Sequence, residues 1–369
     1  MFVTPVGFEL VAKRELDYWL GVLESHFGEQ LDAQINVVKG GLEAQLPREW
    51  GFAMNFVLKV PTRILMRLAE FDCENFKQLK LKIAEIPWVA NFSEFAPVVK
   101  VSSFKSKLFH KHLLKKTATE ELKKVLGKKN KSPEGEILLR IERNKAQLSI
   151  DTSGEMLFKR GYKIWSSKAP IRENLASGLL MMMLGDDLLE NIEDRILIDP
   201  MCGSGTFLGE GYRLFKVNNE RNYFFESFSK SFVDIKKIEL LKQKFILAEK
   251  DVFSHFIGWE KHQKTYLDAT KNLDVIPKNK LTLQQRDCFD ANSDQVDGGK
   301  ESQCYLVSNL PYGERIKLPM PPREFLNQVR THLQQLKLKK GWVIFPRLQG
   351  IKAECFFVNG GLPVAVFSI

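Results

Sequence analysis

Cysteine is scarce and scattered. The chain has five, Cys73, Cys202, Cys288, Cys304 and Cys355, and no two stand at a metal-ligand spacing. A disulfide framework and a zinc module are therefore not expected, and a reducing compartment is the simplest setting. The six histidines form no cluster in the sequence, so metal catalysis has no visible support. No apolar run approaches the ~20 residues of a membrane-crossing helix. The longest candidate, Leu179 to Leu184, is far too short. Glu9 and other early charges stand where a signal peptide needs an apolar stretch, so a cytoplasmic protein is expected. Neither an internal repeat nor a low-complexity tract is evident.

What is abundant is positive charge. The 369 residues carry a formal net charge of +10, and 44% are hydrophobic, enough for ordinary cores in two or three domains. Such an excess favours a polyanionic partner. The lysines are concentrated: Lys100, Lys105, Lys107, Lys111, Lys115, Lys116, Lys123, Lys124, Lys128, Lys129 and Lys131 crowd one region, with Phe104, Phe109 and His110 among them. Phosphates and stacked bases would suit that mixture, and so would a plain solvated helix face.

Along the chain the apolar spacing predicts a helix from Phe8 to Leu20 and short strands at Ile35–Val38 and Phe56–Val60. A lysine-rich helix follows from Leu108 to Leu126, then a hairpin, 137–141 and 146–150, around Arg143-Asn144-Lys145. This half reads as α+β. A polar connector, Asp151 to Pro170, leads to a helix from Ile171 to Leu184, and the domain boundary falls near residue 155.

From Arg195 the pattern alternates strand and helix. Strands are expected at Ile196–Ile198, His255–Glu260, Leu281–Asp287, Cys304–Asn309 and Trp342–Phe345. Helices are expected after Phe207, through Asn272 and from Phe325 to Leu336. A closing hairpin is expected around Asn359-Gly360-Gly361. Such alternation predicts a doubly wound α/β sheet with its ligands at the carboxyl ends of the strands.

Those strand ends carry the candidate chemistry. Asp199 ends the first strand and leads into Gly203-Ser204-Gly205, where backbone can approach a ligand closely. The three-glycine dinucleotide pattern is not met, because Leu208 stands at the third position. A carboxylate at Asp199 also suits a cationic nucleoside such as S-adenosylmethionine better than a pyrophosphate. Glu260 ends the second strand, where it can accept from ribose hydroxyls or simply favour a helix N-terminus. Asp287 ends the third, either accepting from an adenine amine beside the Cys288 amide or serving as a turn acid.

The fourth strand ends in Asn309-Leu310-Pro311-Tyr312-Gly313. Asn309 offers an acceptor, Pro311 restrains Leu310 to an extended shape, and Tyr312 offers a flat ring. Both hydrogens of an exocyclic amine could be accepted there, by Asn309 and by the Leu310 carbonyl. The same residues also make an ordinary turn.

Taken together these stretches resemble the class I RNA methyltransferases that carry an N-terminal THUMP domain, above all the bacterial 23S rRNA guanine-N2 methyltransferases, with tRNA guanine-N2 enzymes next. Asp199 to Thr206 resembles the family's cofactor loop, and Asn309 to Tyr312 is similar to its Asn-Pro-Pro-Tyr. Asp151 to Glu155, Lys159 to Tyr162, Ala169 to Ala176 and Asn359 to Leu362 look like its joining segments and C-terminal hairpin. The resemblance implies a Rossmann-like class I methyltransferase domain over 156–369. Its sheet would be mostly parallel, seven-stranded, with a C-terminal antiparallel hairpin. Over 1–155 it implies a ferredoxin-like and THUMP RNA-binding region.

Carried over by motif, Asn309, Leu310, Pro311 and Tyr312 would be catalytic. Asp199, Pro200, Cys202, Gly203, Gly205, Thr206, Glu260, Asp287, Cys288 and Asn309 would hold S-adenosylmethionine, with no metal. The partner would be structured RNA, 23S rRNA or tRNA, and the protein a monomer. The target guanine would flip out and stack on Tyr312. Leu310 departs from the usual first proline, and the stretch from Phe207 to Ser254 is divergent. A non-catalytic RNA-binding ribosome-assembly factor and an NAD-dependent enzyme are the competing readings.

Overall fold

The computed structural model describes residues 1–369 except 29–30, 32, 93–95, 128–133, 164–169, 191–193, 291–302 and 313–317. Lys128, Lys129, Lys131, Ala169 and Gly313 therefore lie outside the described residues. The first elements are β1 (Phe2–Val3), α1 (Glu9–Phe27), β2 (Ile35–Val38), β3 (Gly41–Ala44), α2 (Arg48–Ala53), β4 (Arg63–Asp72), α3 (Phe76–Ala84) and α4 (Trp88–Phe92). β5 (Ala96–Phe104), α5 (Lys111–Leu126), β6 (Glu134–Glu142) and β7 (Lys145–Asp151) follow. Next come α6 (Glu173–Leu184), β8 (Ile196–Asp199), α7 (Thr206–Arg213), α8 (Ile235–Leu247), β9 (His255–Glu260) and α9 (Gln263–Asn272). The last are β10 (Leu281–Gln285), β11 (Cys304–Asn309), α10 (Pro322–Leu333), β12 (Lys340–Pro346), β13 (Cys355–Asn359) and β14 (Leu362–Ser368).

Two compact units result. One comprises Met1–Thr4, Leu16–Leu157 and Arg221–Leu247; the other comprises Pro5–Glu15, Phe158–Glu220 and Ala248–Ile369.

The first unit is built on a sheet of order β2-β3-β1-β4-β7-β6-β5, in which only the β5–β6 pair is parallel. The hairpin between β6 and β7 turns at Arg143 and Asn144, both left-handed at φ 50° and 65°, the backbone that matches strand twist in a two-residue turn. α5 buries Leu114, Ala118, Leu122 and Leu126, four residues apart along one stripe, and stops at Gly127 with φ 74°. Its lysines face water, as expected of an amphipathic helix.

The strand expected at Phe56–Val60 is not formed. Met54–Phe56 is a 3₁₀ turn after α2, and the strand comes later, as β4. The run from Phe56 to Val60 is buried throughout, Lys59 included, so its largely apolar character marks depth and not period. β4 is set instead by long-range polar bonds: Ser153 Oγ accepts from the Ile64 amide at 2.8 Å and donates to Asn55 Oδ1 at 2.6 Å. Phe224, Phe225 and Phe228 are buried in this unit's core, with Phe232 at its margin. The Phe225 ring stacks on Phe52 at 5.2 Å, and Phe228 meets Phe92 edge-on at 5.1 Å.

The second unit carries a seven-stranded sheet of order β10-β9-β8-β11-β12-β14-β13. β10, β9, β8, β11 and β12 are parallel, β14 runs antiparallel to β12, and β13 antiparallel to β14. The central strands are buried on both faces: all of β8 is buried, and so is β11 up to Ser308. This explains why they read as unbroken apolar runs. The closing hairpin turns on Gly360 and Gly361, at φ 59° and 90°. The expected doubly wound, mostly parallel sheet is therefore present, with the parallel strands ending on one edge.

Candidate active site at the strand ends

Asp199 is the last residue of β8 and is buried. Its Oδ1 accepts from Ser308 Oγ at 2.7 Å and from the Met201 amide at 3.2 Å. Burial pushes its carboxyl up to about 7; the bonds from Ser308 and Met201 oppose that push, and the Glu260 carboxylate adds to it.

The chain then turns sharply through Pro200, Met201 and Cys202. The Gly205 amide donates to the Cys202 carbonyl at 2.8 Å, closing the turn. The Cys202 amide donates to the Trp259 carbonyl at 2.9 Å, tying it to β9. Gly203 and Gly205 are left-handed, φ 55° and 83°, and a Cβ on Gly205 would stand 2.8 Å from the Leu273 side chain. Only glycine fits such a position without strain. α7 begins at Thr206, so its first amides lie beside the turn.

Two side chains steady this turn from neighbouring elements. Glu260 ends β9, largely buried; it accepts from the Gly203 amide at 3.1 Å through Oε2 and from the His262 amide at 2.8 Å through Oε1. Asn272, at the end of α9, donates from Nδ2 to the Ser204 carbonyl at 3.0 Å. Ser204 Oγ itself is buried and has no hydrogen-bond partner among the described residues. An orphaned hydroxyl at the tip of a glycine turn is what a polar ligand there would satisfy.

The opposite side of α7 is held as firmly. Glu210 is fully buried and accepts from Tyr162 Oη at 2.8 Å, Ser177 Oγ at 2.5 Å and Arg160 Nη2 at 3.2 Å. Lys163 Nζ donates to Thr206 Oγ1 at 2.8 Å and pairs with Glu173 at 3.1 Å. The segment around Lys159–Tyr162 thus anchors the helix that starts at the turn.

Asp287 follows β10. It accepts from Lys261 Nζ at 2.7 Å and from the Phe289 amide at 3.1 Å. Although burial pushes its carboxyl up, these bonds and the Lys261 charge hold it below the usual carboxylate range. The neighbouring Cys288 thiol is buried and pushed up to about 12, chiefly by burial with Asp287 adding, so it is no nucleophile. The Cys202 thiol is likewise raised by burial.

Asn309 ends β11 opposite Ile344 of β12, and the Leu310 amide extends that pairing to the Ile344 carbonyl at 3.1 Å. The Leu310 side chain is buried, so leucine in place of the usual proline fills a core position. Tyr312 differs from expectation. Its ring is only 4% exposed, edge-on to Phe345 at 6.3 Å, and its hydroxyl accepts from Asn359 Nδ2 at 2.9 Å. It offers no open face for a stacked base and instead pins the loop to the closing hairpin. Ser308, Asn359 and Asn272 escaped sequence reading as site residues. Their bonds reach across 109, 47 and 68 positions, and no local pattern marks them.

One edge of one sheet therefore gathers Asp199, Gly203, Gly205, Glu260 and Asn309, linked through Ser308 and the Gly203–Glu260 bond. Among the described residues no group of His, Cys, Asp and Glu is placed to hold a metal, and no helix is long and apolar enough to cross a membrane.

The chain is similar to several known proteins. The rRNA large subunit methyltransferase K/L of Marinomonas sp. (strain MWYL1) is 28% identical over 85% of this chain and 43% of its own length. The tRNA (guanine(6)-N2)-methyltransferase of Methanocaldococcus jannaschii is 32% identical over 50% of this chain and 46% of its own. The chain thus spans less than half the length of these curated relatives. Among solved structures, SMU.472 complexed with SAH covers 100% of this chain and 96% of its own with a TM-score of 0.77; at 22% identity it shows the fold. The RMKL-like methyltransferase domain family, UPF0020, matches residues 160–349, and the chain belongs to it.

Proposed function

We propose that this chain is an S-adenosylmethionine-dependent RNA methyltransferase acting on the exocyclic N2 of a guanine, with large-subunit rRNA as its substrate. The observation that carries this reading is the direct link between the glycine turn after β8 and the Asn309 loop after β11, made by the Ser308–Asp199 bond. S-adenosylmethionine supplies an electrophilic methyl group on a sulfonium. Gly203 and Gly205 let backbone approach it, the orphaned Ser204 hydroxyl and the Thr206 helix start offer it donors, and Glu260 and Asp287 stand where ribose and adenine would lie. A neighbour of the same fold is complexed with SAH, which supports S-adenosylmethionine as the cofactor.

At the acceptor side, Asn309 and the Leu310 carbonyl accept the amine's hydrogens and stabilise the charge that grows on nitrogen during transfer. This is positioning and electrostatic preorganisation, without a covalent intermediate. Such an amine is reached only if the base leaves its stack. The first unit, which we read as a THUMP-type region, supplies the polyanion grip. The α5 lysines Lys111, Lys115, Lys116 and Lys123 are exposed, whereas Lys100, Lys107 and Lys124 are paired with Glu136, Glu74 and Glu121. The grip is therefore narrower than the lysine count suggests. The identity to a tRNA enzyme favours tRNA as the second reading.

The test is methyl transfer from labelled S-adenosylmethionine to 23S rRNA and to tRNA, both from cells lacking this protein, followed by nucleoside mass spectrometry. N2-methylguanosine in the rRNA is expected. The same product only in tRNA selects the second reading, and no labelled nucleoside in either contradicts both.

A further inference from the structure

Ser308 is a fully buried hydroxyl in a largely apolar strand. It is the fifth residue of β11, after Cys304, Tyr305, Leu306 and Val307, and all five are buried. Ser308 is 0% exposed. A hydroxyl taken fully out of water without a partner costs free energy, so its bond must matter. The described partner is Asp199 Oδ1, at 2.7 Å. That carboxylate also accepts from the Met201 amide inside the glycine turn. The next residue after Ser308 is Asn309.

We infer that Ser308 is a positioning residue of this site: its hydroxyl, bonded to the Asp199 carboxylate, holds the cofactor turn and the acceptor grip in one fixed register. The role rests on the function proposed above and deepens it. Among the described residues the ladder between β8 and β11 pairs Cys304–Leu306 with Ile196–Ile198, stopping short of Asp199 and Asn309. Past that point the Ser308–Asp199 bond is the described cross-link at the level where ligand and acceptor meet.

The bond also acts on charge. Ser308 donates, so it favours the ionised form of Asp199. The groups that face Asp199 are the Glu260 carboxylate from β9, which disfavours ionisation, and the buried Cys202 thiol within the turn. Removing the hydroxyl leaves the Glu260 carboxylate and burial unopposed from the β11 side. Asp199 then stays protonated to higher pH, and its pull on the Met201 amide weakens over that interval.

The experiment is calorimetric titration with S-adenosylhomocysteine from pH 6 to pH 9.5, comparing the unaltered protein with Ser308→Ala and Ser308→Thr. Taking the ratio of affinities cancels titration of the ligand itself. Ser308→Ala is expected to bind about tenfold more weakly near pH 7, a deficit that shrinks toward threefold or less above pH 9. Ser308→Thr, which keeps the donor, is expected to recover most of the loss. In an Asp199→Asn background the Ser308→Ala ratio is expected to lose its pH dependence. An affinity ratio that is flat across pH, or equal to one throughout, overturns the role. Absence of binding by the unaltered protein at every pH overturns the proposed function, and this inference with it.

Discussion

At the residue scale the site rests on a few buried polar groups whose partners are fixed. Asn309 is the acceptor residue of the proposed reaction, and its neighbours are pinned: Leu310 by β12, Tyr312 by Asn359. Truncating Asn309 removes the acceptor without disturbing the turn at Gly203. Asn309→Ala is therefore expected to lower kcat about 100-fold or more while the affinity for S-adenosylhomocysteine changes less than about threefold, read by single-turnover transfer and calorimetry. An equal loss in both would move Asn309 into the cofactor site alone. The sequence draws the eye to Asn309 because Asn-Leu-Pro-Tyr is an unusual strand ending. Ser308 was not legible, since a serine in a strand carries no signal until its partner across 109 positions is known. The sequence singled out Tyr312 for an open ring, and the structure buries that ring instead. Whether a ring is open or covered depends on Phe345 and Asn359, which the local sequence does not announce.

At the element scale the decisive unit is β8, the turn and α7. The strand is buried throughout, the turn is left-handed at two glycines, and the helix is held through its own Glu210 by Arg160, Tyr162 and Ser177. A side chain at Gly205 must take φ 83° and push on Leu273 at 2.8 Å. Gly205→Ala is thus expected to weaken S-adenosylhomocysteine binding about tenfold or more and to cost roughly 1–3 kcal/mol of stability. Calorimetry and thermal melts check both effects; an unchanged affinity would remove the turn from the site. The second unit's central strands β8, β11 and β12 were legible because parallel, buried strands leave nearly continuous apolar runs. The first unit was harder to read. Its β4 begins where Arg63, buried, meets Asp151 at 2.8 Å, and such polar bonds have no period. The run Phe56–Val60 looked like a strand only because it is deeply buried.

At the scale of the molecule the alternation after Arg195 was enough to predict the second unit's sheet, because each strand needs a covering helix and a right-handed return. The partition of the chain was less visible. Arg221–Leu247 folds with the first unit because Phe225, Phe228 and Phe232 find Phe52 and Phe92 there, a pairing that no composition shift reveals. The central claim is that cofactor turn and acceptor loop form one site at the edge of the second sheet. Hydrogen exchange of the whole chain, with and without saturating S-adenosylhomocysteine, tests it directly. Binding is expected to slow exchange in peptides covering Met201–Thr206, Glu260–His262 and Leu306–Leu310 together, leaving α5 unchanged. Slowing confined to other segments, or reaching the turn but never the β11 end, would contradict a shared site.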